Sequence, residues 1–284
     1  MSDYPPLDWR ETARRRAGAL GDPLIYRASV DSTNTLAAAL APQAAPVGAA
    51  IVADHQTAGR GRLGRRWSAA PNTGLACTVV LAAPDPSWVA PMVVGLAVLD
   101  TLRGLGLPAT LKWPNDALLF GRKCSGILIE ARSVDGTPRL LAGIGINVYS
   151  SDPSLPNATH LAAHMTQTPR REDLLVDLLA GIEEWLARAM DDPARVREVW
   201  AAGLETIGRE VTVQTGTGTL RGTAVGVSDD GGLLVRPTNG ATVVIQAGDV
   251  TLSAVPAVPL NEDRTRRASG VDPRPRRMGE PDRP

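Results

Sequence analysis

The sequence predicts an α+β protein: a larger domain of mixed strands and helices, followed by a small all-β module. Between residues 8 and 204, short apolar runs rich in Val, Ile and Leu are interleaved with stretches of helical period. At about Ile207 the texture changes. Five short β runs fall between residues 211 and 253, with turn signals at Asp229-Asp230-Gly231-Gly232 and Asn239-Gly240, which suits a small barrel packed against a larger partner. A length of 284 residues, 43% apolar and 21% charged, allows one large core plus a small one.

Taken in order, Asp8 caps a helix over 8–20, with Glu11 three positions later as a capping box. A strand over 24–28 leads into Asp31-Ser32-Thr33-Asn34, a cluster of cap formers ahead of an Ala/Leu helix reaching Leu40. A strand over 49–53 ends at a long Gly- and Arg-rich loop, 54–73. A buried strand follows over 75–83, then an apolar helix over 87–105 with Pro91 in its first turn. Residues 109–148 read as several short strands joined at Gly121-Arg122 and Asp135-Gly136. Amphipathic helices cover 171–190 and 193–204, and the β runs of the module are 211–215, 221–227, 233–237, 241–245 and 250–252. The expected domains are 1–206 and 207–254. The remainder, 255–284, is expected to be disordered, because Pro and Arg dominate it and apolar residues nearly vanish.

Composition excludes several classes. Equal numbers of basic and acidic residues, 30 each, argue against affinity of the whole surface for nucleic acid or membrane. Two cysteines make neither a disulfide framework nor a metal cluster. The start, MSDYPPLDWRETARRR, lacks the apolar run of a signal peptide. The longest apolar stretch, 89–99, contains Pro91 and is too short to span a bilayer. These observations lead us to expect a soluble protein of a reducing compartment, the cytoplasm.

Of the 30 basic residues all but Lys112 and Lys123 are Arg. Lysines that survive such a bias mark positions where a compact ammonium, not a planar fork, is required. Gly59-Arg60-Gly61-Arg62-Leu63-Gly64 matches the dinucleotide fingerprint G-x-G-x-x-G, but the context fails, because Arg65-Arg66-Trp67-Ser68 and Pro71-Asn72-Thr73-Gly74 cannot open the helix that the fingerprint needs. Four arginines on a glycine-loosened backbone instead suit a polyphosphate, with Trp67 free to stack on a base or cap the loop. Lys112-Trp113-Pro114-Asn115-Asp116 sets a cation, an amide and a carboxylate at a strand end. Gly126, with Gly143 and Gly145 in Gly143-Ile144-Gly145-Ile146-Asn147, marks close approach to strands. His160 and His164 stand at i, i+4 without the glutamate of a zinc motif and read as structural; Cys124 reads as a small buried apolar residue.

The motifs DSTN (31–34), HQTAGRGRLGRRW (55–67), KWPND (112–116), GRKCSGILIE (121–130) and GIGIN (143–147) together resemble those of biotin protein ligases. The resemblance runs in order across 24–254. It implies a catalytic domain similar to that of class II aminoacyl-tRNA synthetases, a mixed sheet flanked by helices, followed by an SH3-like barrel. It also implies ATP and Mg2+, formation of biotinyl-5′-AMP, and transfer of biotin to a lysine of a biotin carboxyl carrier domain of a carboxylase. With about 23 residues ahead of the first strand, the chain resembles the monofunctional kind that lacks a DNA-binding domain, so no specific DNA binding is expected. A homodimer is left open. By the same resemblance Lys123 lies between the biotin carboxylate and the α-phosphate, with Arg62 as its catalytic companion. Ser32, Thr33, Asn34, Gln56, Gly59, Arg60, Gly61, Arg62, Lys123, Gly126, Gly143 and Gly145 would surround biotin. Arg60, Arg62, Arg65, Trp67, Lys112, Asn115 and Asn147 would serve ATP and the adenylate, and Asp116 a metal. A lipoate–protein ligase, or a non-catalytic biotin- or nucleic-acid-binding regulator, are the alternatives; the Gly/Arg loop and the barrel favour biotin.

Overall fold

The structure, a computed structural model, describes residues 4–252 apart from 41, 42, 44, 135 and 217. Seven strands, β1 (Leu24–Val30), β2 (Ala50–Gln56), β3 (Gly74–Ala82), β4 (Ala109–Lys112), β5 (Asp116–Leu119), β6 (Arg122–Val134) and β7 (Thr137–Asn147), form one sheet. Its order is β1-β2-β3-β7-β6-β5-β4; β1 and β2 pair in parallel and every other pair is antiparallel. Five helices accompany it: α1 (Trp9–Arg15), α2 (Thr33–Ala39), α3 (Ala90–Gly104), α4 (Arg171–Asp191) and α5 (Pro193–Gly203). A second, antiparallel sheet contains β8 (Glu210–Thr215), β9 (Gly218–Val227), β10 (Leu233–Arg236), β11 (Val243–Ile245) and β12 (Asp249–Leu252), in the order β11-β10-β9-β8-β12. Both sheets belong to one compact unit, Met1–Ser253. The fold is α+β, as the sequence predicts. The tail expected to be disordered, 255–284, and Asp135 of the hairpin signal lie outside the described residues.

Strand alternation divides the first sheet into two unlike faces. On β7, Ala142, Ile144 and Ile146 join the main core beneath α3, α4 and α5, together with Leu75, Cys77 and Val79 of β3. Helix α3 is apolar nearly all round and buries most of its residues between that face and the other two helices. The opposite face carries only a small cluster, Ala37, Ala45, Ala49, Ile51, Val80 and Leu141, under the short helix α2. Beyond that cluster the face runs out into Gly143, Gly145 and Gly126. The apolar face supplies the stability and the glycine face is left for a site.

Three expectations are corrected. Helix α1 stops at Arg15 rather than near residue 20. Asp8 does accept the Glu11 N–H, but the Glu11 carboxylate pairs with Arg170 and Arg15 instead of closing a capping box, and the chain turns away through Gly18 and Gly21. Strand β2 runs on through Asp54 to Gln56, where a loop was expected, because Asp54 is neutralised inside the fold. The several short strands expected over 109–148 include one long hairpin, β6 and β7, of 13 and 11 residues.

Asp54 is neutralised by Arg171 of α4, whose Nη1 lies 2.8 Å from Oδ1, with both side chains at most 5% exposed. The Leu7 N–H and the Tyr26 hydroxyl also donate to this carboxylate, and Arg171 Nη2 donates to the Pro5 carbonyl. Burial first, and then the bond to Asp54, push the Tyr26 phenol up to about 12. The N-terminal segment is held further along by Asn72, which donates to the Tyr4 carbonyl, and by the stacking of Tyr4 on Tyr149 at 4.2 Å.

The second sheet joins the first through the outer edge of β4. Leu111 and Leu204 bridge in parallel, and the Glu205 N–H donates to the Leu111 carbonyl at 2.8 Å. The Trp113 N–H donates to Thr206 Oγ1, and its indole N–H to the Gly231 carbonyl in the turn between β9 and β10. No helix among the described residues is long and apolar enough to cross a membrane.

Candidate active site

Gly126 of β6 stands directly opposite Gly145 of β7, with Leu128 opposite Gly143. A methyl group at Gly145 would overlap the indole of Trp67, and one at Gly143 would overlap the amide of Asn34. The close approach expected at these glycines is present: together they form a flat bed, whose near neighbours in this structure are the chain's own Trp67 and Asn34. At Gly126 the same indole and the Lys123 side chain both lie just over 3 Å from where a Cβ would be.

Lys123 and Gly126 are three residues apart and would face opposite sides of a regular strand. A register shift opposite Ala117 and Leu118 of β5 brings them to the same side, while Cys124 between them drops into the core. Bulges are used in this way to re-aim a side chain at a site. Burial pushes the Cys124 thiol up to about 12, which leaves it inert as a nucleophile. Lys123 Nζ then lies 2.6 Å from Asp116 Oδ1 and faces the Trp67 ring at 5.8 Å. That Asp116 oxygen is buried and has no hydrogen-bond donor of good geometry among the described residues.

The Gly/Arg segment folds as a hairpin over this bed. The Trp67 N–H donates to the Gly59 carbonyl, the Gly61 N–H to the Arg65 carbonyl, and Arg60 bridges Arg66. A single 3-10 turn, Arg62–Gly64, forms its tip, so no helix follows the glycines. Arg60 pairs with Glu130 at 2.7 Å and Arg65 with Asp249 at 2.7 Å. Arg62 is half-buried: desolvation pushes its pKa down, the Asp116 carboxylate pulls the other way, and Arg65 adds to the depression. A partly desolvated cation close to a carboxylate and a second guanidinium is poised to exchange those neighbours for phosphate oxygens.

At the other end of the bed, α2 begins at Ser32, whose side chain makes no capping bond. Gln56 takes that role, its Oε1 accepting from both the Thr33 N–H and the Thr33 hydroxyl. The Thr78 hydroxyl lies within hydrogen-bond distance of the Thr33 hydroxyl, at 2.8 Å, and of Asn34 Oδ1, at 2.6 Å, and Asn34 Nδ2 donates to Glu130. A recess lined by Asp54, Gln56, Trp67, Ala69 and Gly74 to Ala76 opens beside this network. Polar donors and acceptors at one end, glycines in the middle and cations at the other suit an elongated ligand with a neutral polar head and an anionic tail. Asn115 and Asn147 spend their amide N–H groups on the backbone carbonyls of Ile127 and Thr159, so here they brace the segments around Asp116 and β7. Lys112 pairs in register with Asp116 at the strand end. His160 bonds Ser151 and His164 bonds Thr159, and the described residues contain no cluster of three metal-ligating side chains.

Residues 26–147 match the model of the Biotin/lipoate A/B protein ligase family, and residues 206–253 that of the biotin protein ligase C terminal domain. The biotin--[acetyl-CoA-carboxylase] ligase of Mycobacterium tuberculosis is 34% identical over 261 residues, covering 87% of this chain and 96% of that one. The chain belongs to the biotin protein ligase family. The bifunctional ligase/repressor of Bacillus subtilis is 32% identical, over 82% of this chain and 75% of its own. Among solved structures, the biotin protein ligase from Aquifex aeolicus in complex with biotin and ATP superposes with a TM-score of 0.71 at 32% identity, over 82% of this chain and 99% of that one.

Three residues of this biotin protein ligase that matter to the site were not singled out from sequence. Glu130 ties Arg60 to Asn34, and its only signal is that it closes the GRKCSGILIE motif. Asp54 gave no local sign, its partner being 117 positions away. Asp249, on β12, holds the hairpin from the second sheet, through a pair whose side chains are 54% and 38% exposed. An exposed pair of this kind contributes at most about 1 kcal/mol and is screened by salt. Asp249→Asn is therefore expected to speed loss of the bound acyl-adenylate by no more than roughly fivefold, and moderate salt to do the same to the unaltered protein. Filter-binding release kinetics check this; a salt-insensitive loss of fiftyfold would show that Asp249 does more than hold Arg65.

Proposed function

We propose that this chain activates biotin with ATP and transfers it to a lysine of a biotin carboxyl carrier domain. The observation that carries the reading is the placement of Lys123, Asp116 and Arg62 around one end of the glycine bed, with a neutral polar network at the other. A biotin carboxylate oxygen attacks the α-phosphorus of ATP, the bond to the pyrophosphate oxygen breaks, and biotinyl-5′-AMP forms. The carrier's ε-amine then attacks the acyl carbon, AMP leaves with the bonding pair, and the amine gives up a proton. Bringing two anions together requires cations aimed at the developing charge, which is the part of Lys123 and Arg62. Thr33 and Gln56, with Ser32 and Asn34 beside them, offer the ureido head its donors and acceptors, and Trp67 closes over the bed. Residues 1–206 form the catalytic part and 207–254 the barrel.

Mg2+ keeps most of its waters and takes one or two carboxylates plus substrate phosphates. The Asp116 carboxylate, buried and here paired with Lys123 Nζ at 2.6 Å, suits the single protein ligand of an ion that arrives on the nucleotide. Asp116 would hold it, and it would neutralise charge on the triphosphate oxygens.

Biotin-dependent exchange of labelled pyrophosphate into ATP, with lipoate run alongside, tests the reading without any carrier. Exchange with biotin alone supports it; exchange with lipoate alone, or with neither, overturns it. Arg62→Ala is expected to release the adenylate roughly 10–100-fold faster, since a charge-assisted bond to phosphate is lost. Proteins other than the carrier then become labelled, as a streptavidin blot of a mixed protein pool would record.

A further inference from the structure

Two bulky apolar residues stand exposed in left-handed backbone. Leu63 has φ +55 and is 67% exposed; Phe120 has φ +52 and is 61% exposed. The remaining non-glycine residue of this kind among those described is Asn72, a residue type for which the conformation is ordinary. A side chain with a Cβ is strained there, and neither Leu63 nor Phe120 is compensated by burial in the chain itself. Strain of this sort concentrates where the surface has work to do.

Both residues flank the same site. Leu63 is the tip of the hairpin that carries Arg62 on one side and Arg65 on the other. Phe120 is the tip of the β5–β6 turn, three residues from Lys123, or roughly 10 Å of strand. Its ring rests on His164 at 4.8 Å, so it is held in place rather than left to swing. Next to it Arg122 donates to the carbonyls of Pro156 and Ala158, fixing a loop whose Leu155 is also exposed. The Lys123 backbone pairs with the same loop through Asn157 and Thr159.

The charges around these residues are mostly basic, with Asp152, which feels Arg66, and Glu205, beside Gly121, as acidic exceptions. Asp116, Glu130 and Asp249 are neutralised by Lys123, Arg60 and Arg65. Arg62, Arg66 and Arg122 make no ion pair among the described residues. The rim is therefore apolar at two points, with an excess of unpaired basic side chains between them.

We infer that Leu63 and Phe120 are the apolar anchors of a docking face for the carrier domain, and that the carrier meets them with an acidic surface around its target lysine. The inference rests on the ligase reading above. Because the acceptor's amine has to reach the acyl carbon beside Lys123, the folded domain that carries it settles on the rim of this site. Basic side chains there steer an acidic partner, and apolar anchors hold it.

Leu63→Asn and Phe120→Asn, made in the full chain, test this, because asparagine suits left-handed backbone and the fold is retained. Pyrophosphate exchange reports adenylation, and hydroxylamine trapping reports attack on the adenylate by a small amine. Biotinylation of a recombinant apo carrier domain from an acetyl-CoA carboxylase reports docking. Exchange and trapping should stay within about twofold of the unaltered protein, while the KM for the carrier rises roughly tenfold in each variant, and rises with salt in all. An unchanged carrier KM in both variants overturns the inference. So does a shift from dimer to monomer by sedimentation with carrier KM preserved, which would assign the face to a second copy. Absence of biotin-dependent exchange in the unaltered protein overturns the ligase reading, and the docking face with it.

Discussion

Replacing Lys123 with arginine should leave the fold intact and lower biotin-dependent pyrophosphate exchange by roughly 10²–10³-fold, the usual cost of losing one donor aimed at developing charge. Charge is conserved in this variant, so what it measures is shape. The ammonium sits 2.6 Å from Asp116, has the Trp67 ring at 5.8 Å, and lies just over 3 Å from where a side chain at Gly126 would begin. A compact point charge fits between those three; a planar fork has to displace the indole or rotate away from the carboxylate. In a chain where all but two of the basic residues are arginine, this is the position where that habit would be most damaging. Exchange within tenfold of the unaltered protein, with an unchanged circular dichroism spectrum, would show that the ammonium is not required.

Arg171→Ala is expected to destabilise the protein by about 3–5 kcal/mol. The single change leaves Asp54 buried with a charge and no cation, and it strips the Pro5 carbonyl of its donor. Urea unfolding measures the loss, and a change below about 1 kcal/mol would mean that water reaches Asp54 and does the work of the guanidinium. Because Asp54 also lines the recess next to Gln56, the KM for biotin should rise in the same variant while the KM for ATP moves less. A uniform loss of activity would point to global unfolding instead.

The glycine bed is legible in the sequence, and the ties that hold it are not. Strand and helix periods carried most elements, since apolar alternation records which face is buried. The failed fingerprint at Gly59 to Gly64 was also legible, because residues that cannot open a helix follow it, and the structure shows a hairpin. From sequence Asp54 reads as the start of a loop, because a lone acid at the end of an apolar run carries no sign of a partner on a distant helix. The bulge that puts Lys123 and Gly126 on one side has no local signature either; only the pairing with β5 produces it. Leu63 and Phe120 look like ordinary apolar residues until their backbone angles are known. In each case the missing information is long-range or conformational, and a one-dimensional pattern does not contain it.

The segment that leads from α5 into the second sheet meets the outer edge of β4, where Leu204 bridges Leu111 and the Glu205 N–H donates to the Leu111 carbonyl. One border of the large sheet is thereby closed by the chain's own connection. Growth by strand addition, whether into a dimer or into an aggregate, is left with the opposite border, β1. There the outward residues include Arg27, an edge cation of the sort that resists another backbone laying itself alongside. The connector thus serves as a seal as well as a tether: cutting it loose would free the second sheet and also bare the Leu111 carbonyl on the strand that ends in Lys112.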